Sequence, residues 1–207
     1  MILDKHKTIF VHIPKNAGTS IKTIFDKNHV KREGEMPTVH EHKTIHEIKT
    51  KNPEEYNFYK KFAIVRNPYD RMVSWYTYLN GYITSNDLLN TYQWNNDSKS
   101  YEIVETAELN INGFKEFVKD PVKNGWGRIH QKHLFREQCY WVDETVTILR
   151  YENLEKELNK FFEEKINLPI INKSVRNSTL VYYDKKLLDI VYNRYKADFE
   201  KFNYEKL

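Results

Sequence analysis

Ile13-Pro14-Lys15-Asn16-Ala17-Gly18-Thr19-Ser20 lies between Thr8-Ile9-Phe10-Val11-His12-Ile13, a run of β-branched and aromatic residues, and Ile21, Ile24 and Phe25 at helical spacing. The pattern predicts a buried strand, a short loop and an amphipathic helix in succession. A helix N-terminus leaves backbone N–H groups unpaired and carries partial positive charge, so an anion placed there gains hydrogen bonds and a favourable dipole together. Lys15 adds a full charge, Gly18 lets the backbone come close, and Thr19 and Ser20 add hydroxyl donors. The same residues also suit an ordinary strand-to-helix turn with a hydroxyl cap and a surface lysine, so a partner element has to decide.

The order of residues departs from the nucleoside-triphosphate loop G-x-x-x-x-G-K-[ST], in which lysine directly precedes the hydroxyl residue that holds magnesium. Here Lys15 precedes Gly18, and no apolar strand ends in an aspartate placed to complete a magnesium site. An ATP-dependent kinase is therefore the weaker alternative.

The partner element is Phe62-Ala63-Ile64-Val65-Arg66-Asn67-Pro68-Tyr69-Asp70-Arg71-Met72-Val73-Ser74-Trp75-Tyr76, again strand, turn and helix. Pro68 suits the first helical position, where its missing N–H costs nothing, and Asn67 is a good N-cap. Arg66 then leaves the strand's carboxyl end, and Ser74 lies about two turns into the helix. Ligands of open α/β sheets bind beyond the carboxyl ends of the strands, which directs Lys15 and Arg66 into one crevice. Read singly, Arg66 is a strand-end charge and Ser74 a tolerated helix serine; beside the first loop they make a second anion site facing the same ligand.

These two motifs resemble the paired signatures of the sulfotransferases that use 3'-phosphoadenosine 5'-phosphosulfate (PAPS), nearest to the glycan-modifying branch with its heparan and chondroitin sulfotransferases and small microbial relatives. The resemblance continues through Ile148-Leu149-Arg150-Tyr151-Glu152-Asn153-Leu154, Asn172-Lys173-Ser174 and Tyr195 to Tyr204, nearly the whole chain. It implies a three-layer α/β fold with a central parallel sheet flanked by helices. It also implies that Lys15, Asn16, Ala17, Gly18, Thr19 and Ser20 hold the 5'-phosphosulfate and that Arg66 and Ser74 hold the 3'-phosphate, with no metal. Asn16 stands where the family more often has threonine, so its backbone contact is expected to persist and its side-chain contact to differ. Arg176, in the region where the family folds a loop over the cofactor, is a further candidate for the 3'-phosphate.

Sulfuryl transfer develops negative charge on the departing phosphate oxygen, which Lys15 and oriented N–H donors would stabilise. The acceptor hydroxyl must lose a proton, and histidine is the natural base near neutral pH. His40, His42 and His46 lie between the two motifs. The family places a histidine just before a helix here, which favours His42, with His40 second; His46 reads as a solvent-facing helix residue. A zinc site lacks obvious further ligands, and Cys139 has no companion.

With 207 residues, 40% hydrophobic content and scattered glycine and proline, the chain is expected to form one domain, residues 1–207, with a real core. No apolar run approaches the roughly 20 residues needed to cross a membrane. No signal-type stretch opens the chain, so a cytoplasmic enzyme is expected. The net charge of +4 suits anionic ligands, but Lys and Arg alternate with Asp and Glu rather than forming the stripe expected of a nucleic-acid binder.

Gly81 to Glu108, without clean periodicity but rich in Tyr, Asn, Ser and Asp, including Tyr82, Tyr92, Trp94 and Tyr101, is expected to be an acceptor-facing insertion. Asn124 to Arg128 predicts a turn before a helical stretch carrying His130, Gln131 and His133. Asp184 to Phe199 predicts one amphipathic helix with Leu187, Leu188, Val191 and Tyr195 on a common face. The reading is thus transfer of a sulfuryl group from PAPS to a hydroxyl, with a glycan as the expected acceptor; a non-catalytic binder of 3'-phosphoadenosine 5'-phosphate (PAP) is the third alternative.

Overall fold

The computed structural model describes residues 1–25, 42–83, 88–95, 100–108, 113–123, 132–168 and 179–207. Its centre is a four-stranded sheet of β1 (Ile2–Leu3), β2 (Thr8–Val11), β3 (Lys60–Val65) and β6 (Thr147–Arg150), in the order β1-β2-β3-β6. β2, β3 and β6 are parallel, with Val11 opposite Ala63 and Val65 opposite Arg150. The short edge strand β1 runs antiparallel to β2, so the expected parallel sheet is a mixed one with a parallel core.

Alternation along the strands divides the interior in two. Ile9, Val11, Ile13, Ala63 and Val65 face one way, beneath α2 (Ile45–Lys51), α3 (Pro53–Phe58), α4 (Pro68–Ile83), α5 (Gly113–Lys119), α7 (Lys185–Arg194) and α8 (Lys196–Phe202). Phe10, Phe62, Ile64 and Leu149 face the other way, against α1 (Gly18–Phe25) and α6 (Leu154–Phe162). Phe10 and Phe62 stack at 5.0 Å in this second core. A period of two on strands buried on both faces yields three layers, and the chain has the α/β architecture its sequence implies. Among the described residues no helix is long and apolar enough to cross a membrane.

Two expectations change. The segment from Gly81 to Glu108 carries the last turn of α4 and then an antiparallel hairpin, β4 (Leu88–Asn95) with β5 (Ser100–Glu108). Its register shifts between Thr91 and Tyr92. A bulge moves the alternation onto the opposite face partway along a strand, which is why no clean period showed in the sequence. The predicted helix from Asp184 to Phe199 is two helices, α7 and α8, interrupted at Tyr195 with φ −111° and ψ 25°. Tyr195 donates its hydroxyl proton to Phe135 O (3.0 Å) in the core, and the helix resumes so that Asp198 points inward. The predicted turn at 124–128 with His130 and Gln131, and the family loop carrying Asn172, Ser174 and Arg176, lie outside the described residues.

Leu158 is fully buried against the Phe10 and Phe62 face, whereas Phe58 is 83% exposed. Leu158→Ala is expected to cost about 2–5 kcal/mol in urea unfolding, and Phe58→Ala to stay within about 0.5 kcal/mol of the parent.

Candidate functional site

The loops that follow β2, β3 and β6 meet at the carboxyl edge of the sheet. In the first, Lys15 and Ala17 have left-handed backbone, φ 67° and 60°. Such conformations cost non-glycine residues on the order of 1–3 kcal/mol each and persist where surroundings over-determine them. Here the surroundings are guanidinium and amide donors. Arg71 Nε donates to Pro14 O (3.2 Å) and Arg66 Nη1 to Lys15 O (3.2 Å). Asn16, completely buried, donates Nδ2 to Ile64 O (2.7 Å) and to Gln138 Oε1 (2.6 Å). With its carbonyls held back, the loop delivers the chain into α1. Ile21 N–H donates to Ala17 O (3.1 Å), and the N–H groups of Gly18, Thr19 and Ser20 precede it in the first turn, where no intrahelical acceptor exists. The Asn16 amide nitrogen is thus taken by the sheet and by Gln138, while its Oδ1 is buried without a hydrogen-bond partner.

Lys15 rests on aromatic faces. Its Nζ lies 3.5 Å from the Tyr78 ring centroid and 5.8 Å from that of Trp75, both on α4. Thr19 is half-buried and Ser20 nearly buried.

The second loop has the predicted cap: Asn67 Oδ1 accepts from Tyr69 N–H (2.9 Å), and Pro68 opens α4. Arg66 is 5% exposed. Its Nε donates to Asp70 Oδ2 (2.5 Å), Nη1 reaches Lys15 O, and its guanidinium lies 4.0 Å over the Tyr151 ring. Asp70 also accepts from Thr179 Oγ1. Lys15 and Arg66, distant in sequence, thus belong to adjoining loops joined by a hydrogen bond. Ser74 is half-buried, two turns along α4.

His42 precedes α2, whose start is set by a reciprocal cap: Thr44 Oγ1 accepts from Glu47 N–H (3.2 Å) and Glu47 Oε2 accepts from Thr44 N–H (2.7 Å). His42 Nδ1 lies 2.9 Å from His12 O. A carbonyl only accepts, so Nδ1 carries the proton and Nε2 the lone pair. The ring packs on His12 at 4.2 Å and meets the edge of Trp141 at 6.2 Å. Burial pushes the His42 pKa down to about 4, against the pull of the His12 carbonyl; the charges of Lys22, His133 and Arg71 lower it further. His42 is therefore neutral at pH 7. His133 also packs on Trp141, at 6.0 Å. His46 is exposed on α2, and His40 lies outside the described residues, as does Arg176.

Three residues to which no role was given in the sequence hold these parts together. Arg71, 2% exposed, spreads its guanidinium over the carbonyls of Pro14, Leu134 (3.1 Å) and Arg136 (2.9 Å). Gln138 accepts from Arg66 N–H (2.9 Å) and donates to Arg66 O (2.9 Å). Asp198 accepts from the N–H groups of Gln138 and Cys139, both at 2.8 Å. Burial raises the Asp198 pKa, while the Arg71 charge and these donors favour its carboxylate. The available signal was a carboxylate set among the apolar residues of the closing helix. Gln138→Leu is expected to strand the N–H and C=O of Arg66, at about 1–3 kcal/mol for each group; urea unfolding measures the loss.

No curated protein and no solved structure matches the chain. A family model described as the sulfotransferase family matches residues 1–205, from β1 through the last helix. That match takes in the loops after β2 and β3 and the elements that hold them, and the chain belongs to the sulfotransferase family.

Proposed function

We propose that this chain transfers the sulfuryl group of PAPS to a hydroxyl of a glycan, residues 1–205 acting as one catalytic unit. The observation that supports the reading is the hydrogen bond from Arg66 to Lys15 O, which joins the two loops here read as the two anion sites. PAPS has two anionic ends, and the donors here fit them: first-turn N–H groups, a lysine and hydroxyls on one side, an arginine and a serine on the other.

When bound, PAPS supplies a sulfuryl group whose S–O bond to the 5'-phosphate breaks as the acceptor oxygen attacks sulfur. Lys15 and the N–H groups of Gly18, Thr19 and Ser20, with the backbone of Asn16 and Ala17, hold the 5' end and stabilise the charge growing on the departing oxygen. Lys15 must leave its aromatic seat to do so. A cation–π contact is worth about 0.5–1 kcal/mol when exposed, less than a charge-assisted hydrogen bond to phosphate. Arg66 and Ser74 hold the 3'-phosphate, with Arg176 as a further donor. His42, neutral and with its lone pair on Nε2, takes the acceptor proton; His40 is the second candidate. The aromatic positions paired across the hairpin, Trp94 with Tyr101, support a sugar acceptor.

PAP at about 100-fold over its Kd is expected to stabilise the protein by about 2.7 kcal/mol, on the order of 5–11 °C in Tm. A shift only with ATP and magnesium would instead mark a kinase. Lys15→Ala is expected to lower turnover of PAPS on a sugar acceptor by about 10²–10³-fold. Ser74→Ala is expected mainly to weaken PAP binding, by the roughly 1.5–3 kcal/mol of a hydrogen bond to a charged group. Equal losses of both parameters in both variants would refute that division.

A further inference from the structure

A methyl group placed on Gly18 would lie 1.7 Å from Nε2 of His12, and 2.2 and 2.4 Å from two ring carbons. The imidazole thus occupies the side of Gly18 where any other residue would carry its Cβ. It is not free to swing away. Phe10 stacks on one part of it at 5.5 Å, and His42 packs against it at 4.2 Å. Its Nδ1 is buried without a hydrogen-bond partner, and aromatic packing holds the ring on these faces. The same residue, through its carbonyl, holds the proton on Nδ1 of His42. One residue at the end of β2 therefore touches both the first turn of α1 and His42.

We propose that His12 is a positioning residue for sulfuryl transfer, its ring the spacer between Gly18 and His42 and its carbonyl the group that sets the His42 tautomer. Position 18 is then glycine because His12 fills the space beside it. The inference rests on the function proposed above, since it takes the cradle and His42 as the two ends of one reaction. A shift of about 1 Å in a reacting group costs on the order of 100-fold in rate, so a rigid spacer between them has kinetic value. The ring also keeps water from His42. The titratable groups around the pair are Lys22 on α1, Lys15 on the cradle, the amino group of Met1, His133 and Arg71, and burial, the largest cause, lowers the pKa of both histidines with the lysine and arginine charges adding to it.

The test is a cycle of wild type, Gly18→Ala, His12→Ala and the double variant, each checked for folding by circular dichroism and titrated with PAP by calorimetry. Gly18→Ala is expected to weaken PAP about tenfold or more in the wild-type background and less than about threefold with His12→Ala, a coupling of the size seen between residues in contact. The second measurement is the imidazole 15N spectrum against pH. Wild-type His42 is expected to show one tautomer, protonated at Nδ1, and to titrate near pH 4; in His12→Ala, hydration moves that titration up toward the ordinary histidine value of about 6.5. Equal loss from Gly18→Ala in both backgrounds, or His42 titration unmoved by His12→Ala, overturns the proposal. If His12→Ala does not fold, wild-type His42 decides: mixed tautomers or titration near 6.5 overturn it. Wild-type protein that ignores PAP but gives the expected His42 spectrum would refute the PAPS reading and leave the His12 geometry standing.

Discussion

The side-chain amide of Gln138 lies against the backbone of Arg66 as a neighbouring strand would, accepting from its N–H and donating to its C=O. β3 needs such a neighbour there. Its pairing with β2 ends at Ala63 and with β6 at Val65, so Arg66 leaves the sheet with both backbone groups unmatched. Gln138 also accepts from Asn16 Nδ2 and donates to Asp198. Two acceptor positions and two donor positions are the whole capacity of an amide, and all four are taken. Glutamate has no donors to offer, and an apolar residue strands Arg66, so the meeting of the two loops depends on this one residue type.

Around that amide the charges are balanced at a distance. Arg71 is buried among carbonyls and Asp198 among N–H groups, each satisfied by dipoles while its charge offsets the other's. Buried charges are stable only when hydrogen-bonded in this way. The same guanidinium groups that tie up Pro14 O and Lys15 O hold a loop with two left-handed non-glycine residues in place. The strain of the cradle and the buried polar network are thus one arrangement.

Much of this was legible in the chain. Runs of Ile, Val and Phe marked β2 and β3, and Asn67-Pro68 marked the start of α4, because these signals are local: side-chain shape on a pleated surface and the chemistry of a first helical turn. The adjacency of Lys15 and Arg66 followed from parallel topology. What escaped was non-local. Nothing near Gln138 or Asp198 announces that they will meet Asn16 and Arg66. The hairpin hid behind its bulge, and the break at Tyr195 answers to a carbonyl on Phe135 rather than to its own helix. The seat of the Lys15 ammonium on the Tyr78 ring is equally non-local, since nothing in the first loop announces a face of α4.

The helix that begins at Lys196 has a consequence for the order in which the molecule comes together. Asn16 is separated by 122 residues from Gln138, and Gln138 by a further 60 from Asp198. A loop that looks like a short local motif is therefore closed by contacts among the most distant in the chain. Long closures of this kind are slow and give little reward until the final partner arrives. As the polypeptide leaves the ribosome, β2 and α1 emerge well before α8, and the bend between them gains its last support only when α8 arrives.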